Sequence, residues 1–252
     1  IIDKKMWLGN LIQMNDSQEE FYFMQHLKEA VLNTKRDITP EQLKALESLF
    51  NLETEKLKTA PAYVACFSRL KDDASQWERY ADKGTGFCIE FNTCKFNEFM
   101  KGSMFLQPVY YINSMESHTH VKNLVHYLEY NSIPSFSNIN SLMSNVRACA
   151  SSYKHPSFAQ EEEIRLILLP ELISYTDGKI IYNISSGIIK RIFELDIKEL
   201  ESKQTISFYD TIDGIYIGPK SKQDKNILYE YFKSNMVNIP YNKIKISESP
   251  LQ

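Results

Sequence analysis

Glu161, Glu163 and Arg165 alternate with Glu162 and Ile164 directly ahead of the apolar run at residues 166–169. In an extended strand successive side chains point to opposite faces. Glu161, Glu163 and Arg165 then share one side, and Ile164, Leu166 and Leu168 take the other. Charges at the mouth of an apolar strand are costly unless they are paired or used. A carboxylate held there can meet a developing positive charge or take a proton from a nucleophile, so these three are the candidate catalytic residues. They also fit a duller role, with Glu163 and Arg165 as one ion pair on a sheet edge, worth little energetically. Against that, the strand beyond them is apolar on both faces, as in a central strand, whose end can open on a cleft. Both roles stay open at this level.

Other residues could complete a site. Asn15 and Asp16, with Glu19 close behind, precede a helical pattern; Asp16 fits an N-terminal cap, but one cap does not need two such residues. Ser68 ends an apolar strand, where its hydroxyl can bind a ligand or start a turn. No Gly-x-Ser-x-Gly elbow surrounds it, which argues against a serine hydrolase. Trp77 and Tyr80, three apart, share a helical face that is either core or the wall of a pocket for a flat ligand. Gly84 and Gly86 are too few to cradle phosphates. His118, His120 and His126 lack metal-ligand spacing and read as surface residues, and no metal is expected. His155 differs only in abutting the carboxylate strand, where its protonation is open to tuning.

The elements that must position these groups follow from period and punctuation. Ser17-Gln18-Glu19-Glu20 is a capping box, and Phe21, Met24, Leu27 and Val31 then repeat with a helical period. Pro40 opens a second helix carrying Leu43, Leu46 and Phe50 on one face. Strands are expected at 62–68, 86–91, 104–112, 179–184, 188–195, 213–218 and 243–247. Helices are expected at 72–82, 115–130, 139–152 and 224–234, with a Ser/Pro/Asn loop at 133–138. Without regular alternation, this order predicts an α+β fold: a central mixed β-sheet with flanking helices, in one domain over 1–252 with a largely helical insertion near 113–153.

Composition narrows the class. With 252 residues the chain can bury a sizeable core, and 43% hydrophobic content is ordinary for a globular protein. A net charge of -3 with dispersed basic residues gives no bulk attraction to nucleic acid or anionic membrane. The longest apolar stretch, 60–67, is far too short to span a bilayer, and no signal-peptide pattern opens the chain. Cys66, Cys88, Cys94 and Cys149 show no CxxC spacing. Cys66 and Cys88 sit in apolar strand-like runs and are expected to be buried, inert thiols. A reducing, cytoplasmic setting is expected. The chain opens at Ile1, so further residues are expected to precede it.

Taken in order, these segments resemble a bacterial family catalogued as domain of unknown function 2971. The matching pieces are residues 7–20 with Met14-Asn15-Asp16 and Glu19, then Cys66-Phe67-Ser68, then Trp77, Tyr80 and Ala81 followed by 86–91. Lys154-His155-Pro156-Ser157-Phe158 with Glu161, Glu163 and Arg165 comes next, and 215–219 last. Residues 102–152 match no motif, and the Tyr-containing motif that members carry upstream would precede Ile1.

A strand opened by Glu-x-Glu is also similar to the catalytic strand of mono-ADP-ribosyltransferases. That resemblance implies a transferase using NAD, with Glu163 and Glu161 on the catalytic strand, Ser68 on an earlier strand end, and an upstream Arg or His. Arg165 would then hold Glu163 or a phosphate, and Trp77, Tyr80 and Asn15 would complete the nucleotide site. The implied ligand is a nucleotide or small molecule, with a protein or nucleic-acid acceptor, no membrane, and a toxin or phage-defence setting. Two further classes of function remain. One is a non-catalytic nucleotide-sensing or protein-interaction module in which Asn15, Glu163 and Arg165 form a buried polar network. The other is a metal-dependent nuclease using Asp16, Glu161 and Glu163 around magnesium, which the mildly acidic charge disfavours.

Overall fold

Residues 5–10 alternate outward Lys5 and Trp7 with inward Met6, Leu8 and Asn10, the period of a strand packed on one side. In the computed structural model they form β1 (Lys5–Asn10), an element the periodicity above did not single out. The structure describes residues 1–14, 19–33, 40–102, 104–111, 136–185 and 187–250. Asn15, Asp16, the start of the capping box, the 115–130 segment and His118, His120 and His126 lie outside the described residues.

After β1 come α1 (Glu19–Leu32), α2 (Pro40–Thr59), β2 (Tyr63–Ser68), α3 (Ala74–Tyr80), β3 (Phe87–Phe91) and α4 (Thr93–Phe99). The expected 104–112 strand divides at Val109 into β4 (Phe105–Pro108) and β5 (Tyr110–Tyr111). α5 (Phe136–Ala150) begins inside the expected loop. β6 (Tyr153–Lys154), β7 (Glu163–Leu168), β8 (Gly178–Ser185), β9 (Ile188–Asp196), α6 (Ile197–Glu201), β10 (Ile212–Ile217), α7 (Lys225–Ser234) and β11 (Ile244–Ile246) complete the order. The fold class is α+β.

Six strands form the largest sheet in the order β4-β7-β2-β1-β9-β8, antiparallel throughout. The parallel pairs belong to smaller sheets: β10 with β11, which also holds antiparallel β3, and β5 with β6. The alternation of β7 sorts the two sides of the large sheet. Leu166 and Leu168 join Leu8, Phe193 and Leu195 in a core shared with the β3-β10-β11 sheet, α4 and α7. Ile167 and Leu169 face the other way, towards Leu11, Val64 and Ala148 of α5. Beyond them α1, α2 and α5 pack through Phe23, Leu27, Phe50, Leu57 and Val146. β7 is therefore a central strand buried on both faces, and each large apolar side chain it hides contributes roughly 1.5–3 kcal/mol.

The glycines flanking β3 act by packing. Gly218, at the end of β10, donates its N–H to the Gly86 carbonyl at 2.9 Å. A Cβ at Gly218 would stand 2.3 Å from the Gly84 carbonyl oxygen. The two segments approach that closely only because neither carries a side chain there.

Candidate functional site

The carboxylate run does not enter the sheet at Glu161. Pro156–Glu161 forms a 3-10 turn, begun by Pro156 and capped by His155, whose Nδ1 accepts from the Ser157 N–H at 3.2 Å. Glu162 closes the turn with a left-handed φ of 43°, so β7 starts at Glu163. The expectation that strand alternation alone places Glu161 beside Glu163 is corrected. Glu161 sits on the turn, and a cation draws its side chain back to Glu163. Lys154 of β6 donates to Glu161 Oε2 at 2.6 Å and to Glu163 Oε2 at 3.2 Å.

Arg165 closes the group from the strand itself. Its Nε donates to Glu163 Oε1 at 2.8 Å, and another nitrogen holds the Ser151 carbonyl at 2.8 Å. Arg79, reaching over from α3, donates to Glu161 Oε1 at 3.1 Å. Glu163 is only 6% exposed, and Glu161, Lys154 and Arg165 are equally hidden. The surface-pair role is thereby replaced by a buried cluster in which every carboxylate oxygen meets a cation. Such a cluster survives burial only because its charges are matched and hydrogen-bonded. Burial pushes the Glu163 carboxyl up, but Arg165, the Cys66 thiol and Lys154 outweigh it and hold it below the ordinary carboxylate range. Glu163 is an anion at neutral pH.

The network runs on into the helical layer. Ser151, which receives Arg165, donates its hydroxyl to Glu20 of α1 at 2.7 Å. Desolvation raises the Glu20 carboxyl to about 7, against smaller opposing pulls from Ser151, Arg165 and Arg147. The Tyr111 hydroxyl accepts the Glu163 backbone N–H at 2.9 Å. Lys154 and Tyr111 carried no assigned role in the sequence, and Glu20 was read only as the end of a capping box. Lys154 lay inside the motif, but only the fold shows that β6 returns it to the carboxylates.

Ser68 and Glu163 are direct cross-strand partners, as are Cys66 and Arg165. The Ser68 hydroxyl donates to the Glu161 carbonyl at 2.7 Å and accepts from the Leu70 N–H at 3.1 Å, holding the loop that leads to α3. β1 pairs with β2 only at Gly9–Val64 and Asn10–Tyr63. Where β1 leaves, a cavity of about 440 Å³ opens beside residues 66–68, walled by α3 and β3. Ser68, Trp77, Tyr80, Phe87, Cys66 and Ile164 are among its lining residues. Glu163 and Arg165 share a face of the sheet with their partners Ser68 and Cys66; Ile164, opposite Phe67 on the other face, is the β7 residue that lines the cavity.

Trp77 and Tyr80 both line the cavity, but they part in burial. Asp73 caps α3 by accepting from the Ser75 and Gln76 N–H groups, and Trp77 is buried with its indole N–H on Asp72 at 2.7 Å. Tyr80 is 69% exposed and is the ring free to stack. Cys66 and Cys88 occupy strands as expected, but both are exposed and line the cavity, a correction that follows from their place on strand edges. At the rim Glu90 binds Lys71 at 2.8 Å and Lys245 at 3.2 Å. Among the described residues no group of three His, Cys, Asp or Glu is placed to hold a metal ion, and no helix is long and apolar enough to cross a membrane.

Residues 76–166 match the family model described as Protein of unknown function (DUF2971). The matched segment contains Tyr80, Lys154, Glu161, Glu163 and Arg165, and stops short of Ser68 and Asn15. No curated protein and no solved structure matches the chain.

Proposed function

We propose, from the geometry of the cluster and the Glu-x-Glu that opens its strand, that the chain is an ADP-ribosyltransferase-like domain binding NAD or a related nucleotide beside the end of β2. One observation carries this reading. Ser68 and Glu163, the serine and carboxylate that the mono-ADP-ribosyltransferase pattern puts on separate strands, are direct cross-strand partners with a cavity opening next to them. In this reading Tyr80 stacks on a ring of the ligand while Trp77 shapes the wall. The ribose approaches past Cys66 and Ser68. The Glu163 anion faces the positive charge that develops as the bond from C1′ to the nicotinamide nitrogen breaks. Nicotinamide leaves with that electron pair, the acceptor bonds to C1′, and its proton passes to Glu161. Arg165 fixes the Glu163 rotamer and is a positioning residue. A protein or nucleic-acid acceptor and a bacterial toxin or phage-defence role belong to the same proposal.

A second reading, a non-catalytic nucleotide-sensing or protein-interaction module, is favoured by the completeness of the pairing. Both Glu161 and Glu163 are neutralised by cations, and Ile164 rather than Glu163 lines the cavity. The cluster then holds the fold together, and a nucleotide binds without turnover.

Calorimetric titration with NAD, alongside release of nicotinamide, separates the two. The transferase reading expects binding that Tyr80→Ala weakens by about fivefold to tenfold, as for one lost stacking contact. It also expects turnover that Glu163→Gln lowers at least 100-fold while circular dichroism shows a folded chain. Binding with no turnover in the parent chain leaves the sensor. Absence of NAD binding removes the transferase reading.

A further inference from the structure

The six-stranded sheet ends on β8, which pairs with β9 along its whole length. Its second edge has no strand partner among the described residues. Edge strands are usually protected by proline, a bulge, or charges that repel another edge. β8 has neither proline nor a register shift, and its one charged residue, Lys179, stands near one end. Two of its apolar side chains are left in solvent, Tyr182 at 71% and Ile184 at 73% exposure, while Ile180 packs partly on the core.

One bond fixes which way the unpaired backbone groups point. The Asp196 N–H donates to the Asp177 carbonyl at 2.9 Å, just ahead of the β8–β9 ladder. Hydrogen-bonded pairs alternate along an antiparallel ladder. Residues 179, 181 and 183 therefore turn their groups towards β9, and Ile180, Tyr182 and Ile184 turn theirs outward. The same three share one face of the strand.

We propose that β8 pairs antiparallel with β8 of a second copy of this chain, about a two-fold axis at Tyr182, joining two six-stranded sheets into one. Tyr182 then meets Tyr182 of the second copy, and Ile180 meets its Ile184. All three are outward-pointing residues, so each pair exchanges both of its backbone hydrogen bonds, and one face carries an unbroken Ile–Tyr–Ile stripe. Lys179 falls opposite residue 185, so no two cations meet. The occupant is a second copy because the edge complements itself: one register satisfies the backbone direction, the apolar pairing and the charge together, as an isologous contact requires.

Sedimentation velocity over about 1–100 µM tests this, a range suited to an interface below the roughly 800 Å² per partner of stable complexes. The full chain is expected to pass from monomer to dimer across it. Tyr182→Lys puts two ammonium groups directly opposite each other and is expected to weaken the dimer at least tenfold. Tyr182→Glu does the same with carboxylates, and mixing the two variants is expected to restore association, now as a heterodimer. Ile227→Lys, on the exposed face of α7, leaves the parent behaviour unchanged. Melting curves of each variant confirm folding, which the exposure of Tyr182 makes straightforward. A parent chain that stays monomeric to 100 µM overturns the proposal. So does a dimer indifferent to Tyr182→Lys, or a Lys/Glu mixture that fails to associate.

Discussion

Replacing Glu20 by glutamine removes a negative charge from a place that resists it. Glu20 is 3% exposed, and its carboxyl is raised from 4.5 to about 7, because lost hydration outweighs the Ser151 hydroxyl and the more distant Arg165 and Arg147. A folded-state value above the unfolded one means that the folded chain holds its proton while the unfolded chain has lost it. Stability is therefore greatest in acid and falls as pH rises through the window from 4.5 to about 7. Above that window the penalty totals about 3 kcal/mol, of which about 2.5 kcal/mol accumulates between pH 5 and 8. Glutamine keeps an acceptor for Ser151 and does not titrate. Urea denaturation of parent and Glu20→Gln at pH 5 and pH 8 isolates the effect, since other groups cancel in the difference. The variant should gain about 2.5 kcal/mol on the parent between the two pH values. An equal difference at both pH values, or a variant less stable at pH 8, would mean that Glu20 is an ion paired with Arg165 or Arg147, and the reasoning fails.

The opposite sign is expected at the heart of the cluster. Glu163→Gln leaves Arg165 and Lys154 buried without their shared anion and should cost about 3–5 kcal/mol in chemical denaturation. Its folded-state carboxyl lies below the ordinary value, so the stability it provides is present above that value and is lost as pH falls through the lowered one. The variant should thus lose its deficit in strong acid. Gly218→Ala drives a methyl group into the Gly84 carbonyl and should unfold the chain or lower its stability by more than about 3 kcal/mol, read by thermal melting. Trp77→Phe, which strips Asp72 of the indole N–H, should cost about 1–3 kcal/mol, while Tyr80→Phe at its exposed position should cost less than about 0.5 kcal/mol.

Much of the scaffold was legible in the chain. Alternation on β7 gave Glu163 and Arg165 one side and Leu166 and Leu168 the other, because a side-chain period of two survives any tertiary context. The helical stripe at Met24 and Leu27 and the edges of β8 and β9 were readable for the same reason. What escaped reading was set by single backbone choices and long-range returns. Nothing in the letters of Glu161-Glu162-Glu163 announces that Glu162 adopts a left-handed conformation, which non-glycine residues seldom do. Lys154 gains its role only because β6 pairs with β5 and sets the ammonium group over two carboxylates. Cys66 and Cys88 were misjudged because apolar neighbours in sequence say nothing about which strand edge lies open.

The position of β1 bears on how the chain can be assembled. It is the first of the described strands, yet it lies inside the large sheet, between β2 and β9, with Lys5 opposite Asp196. During synthesis its β9 edge waits until residues 192–196 have left the ribosome. Until then β1 exposes an edge with no native mate. Such a topology favours slow folding and a need for chaperone shelter. A nascent chain arrested before residue 188 should bind a holdase and resist folding, whereas release of residues 188–252 should let the sheet close in a single late step.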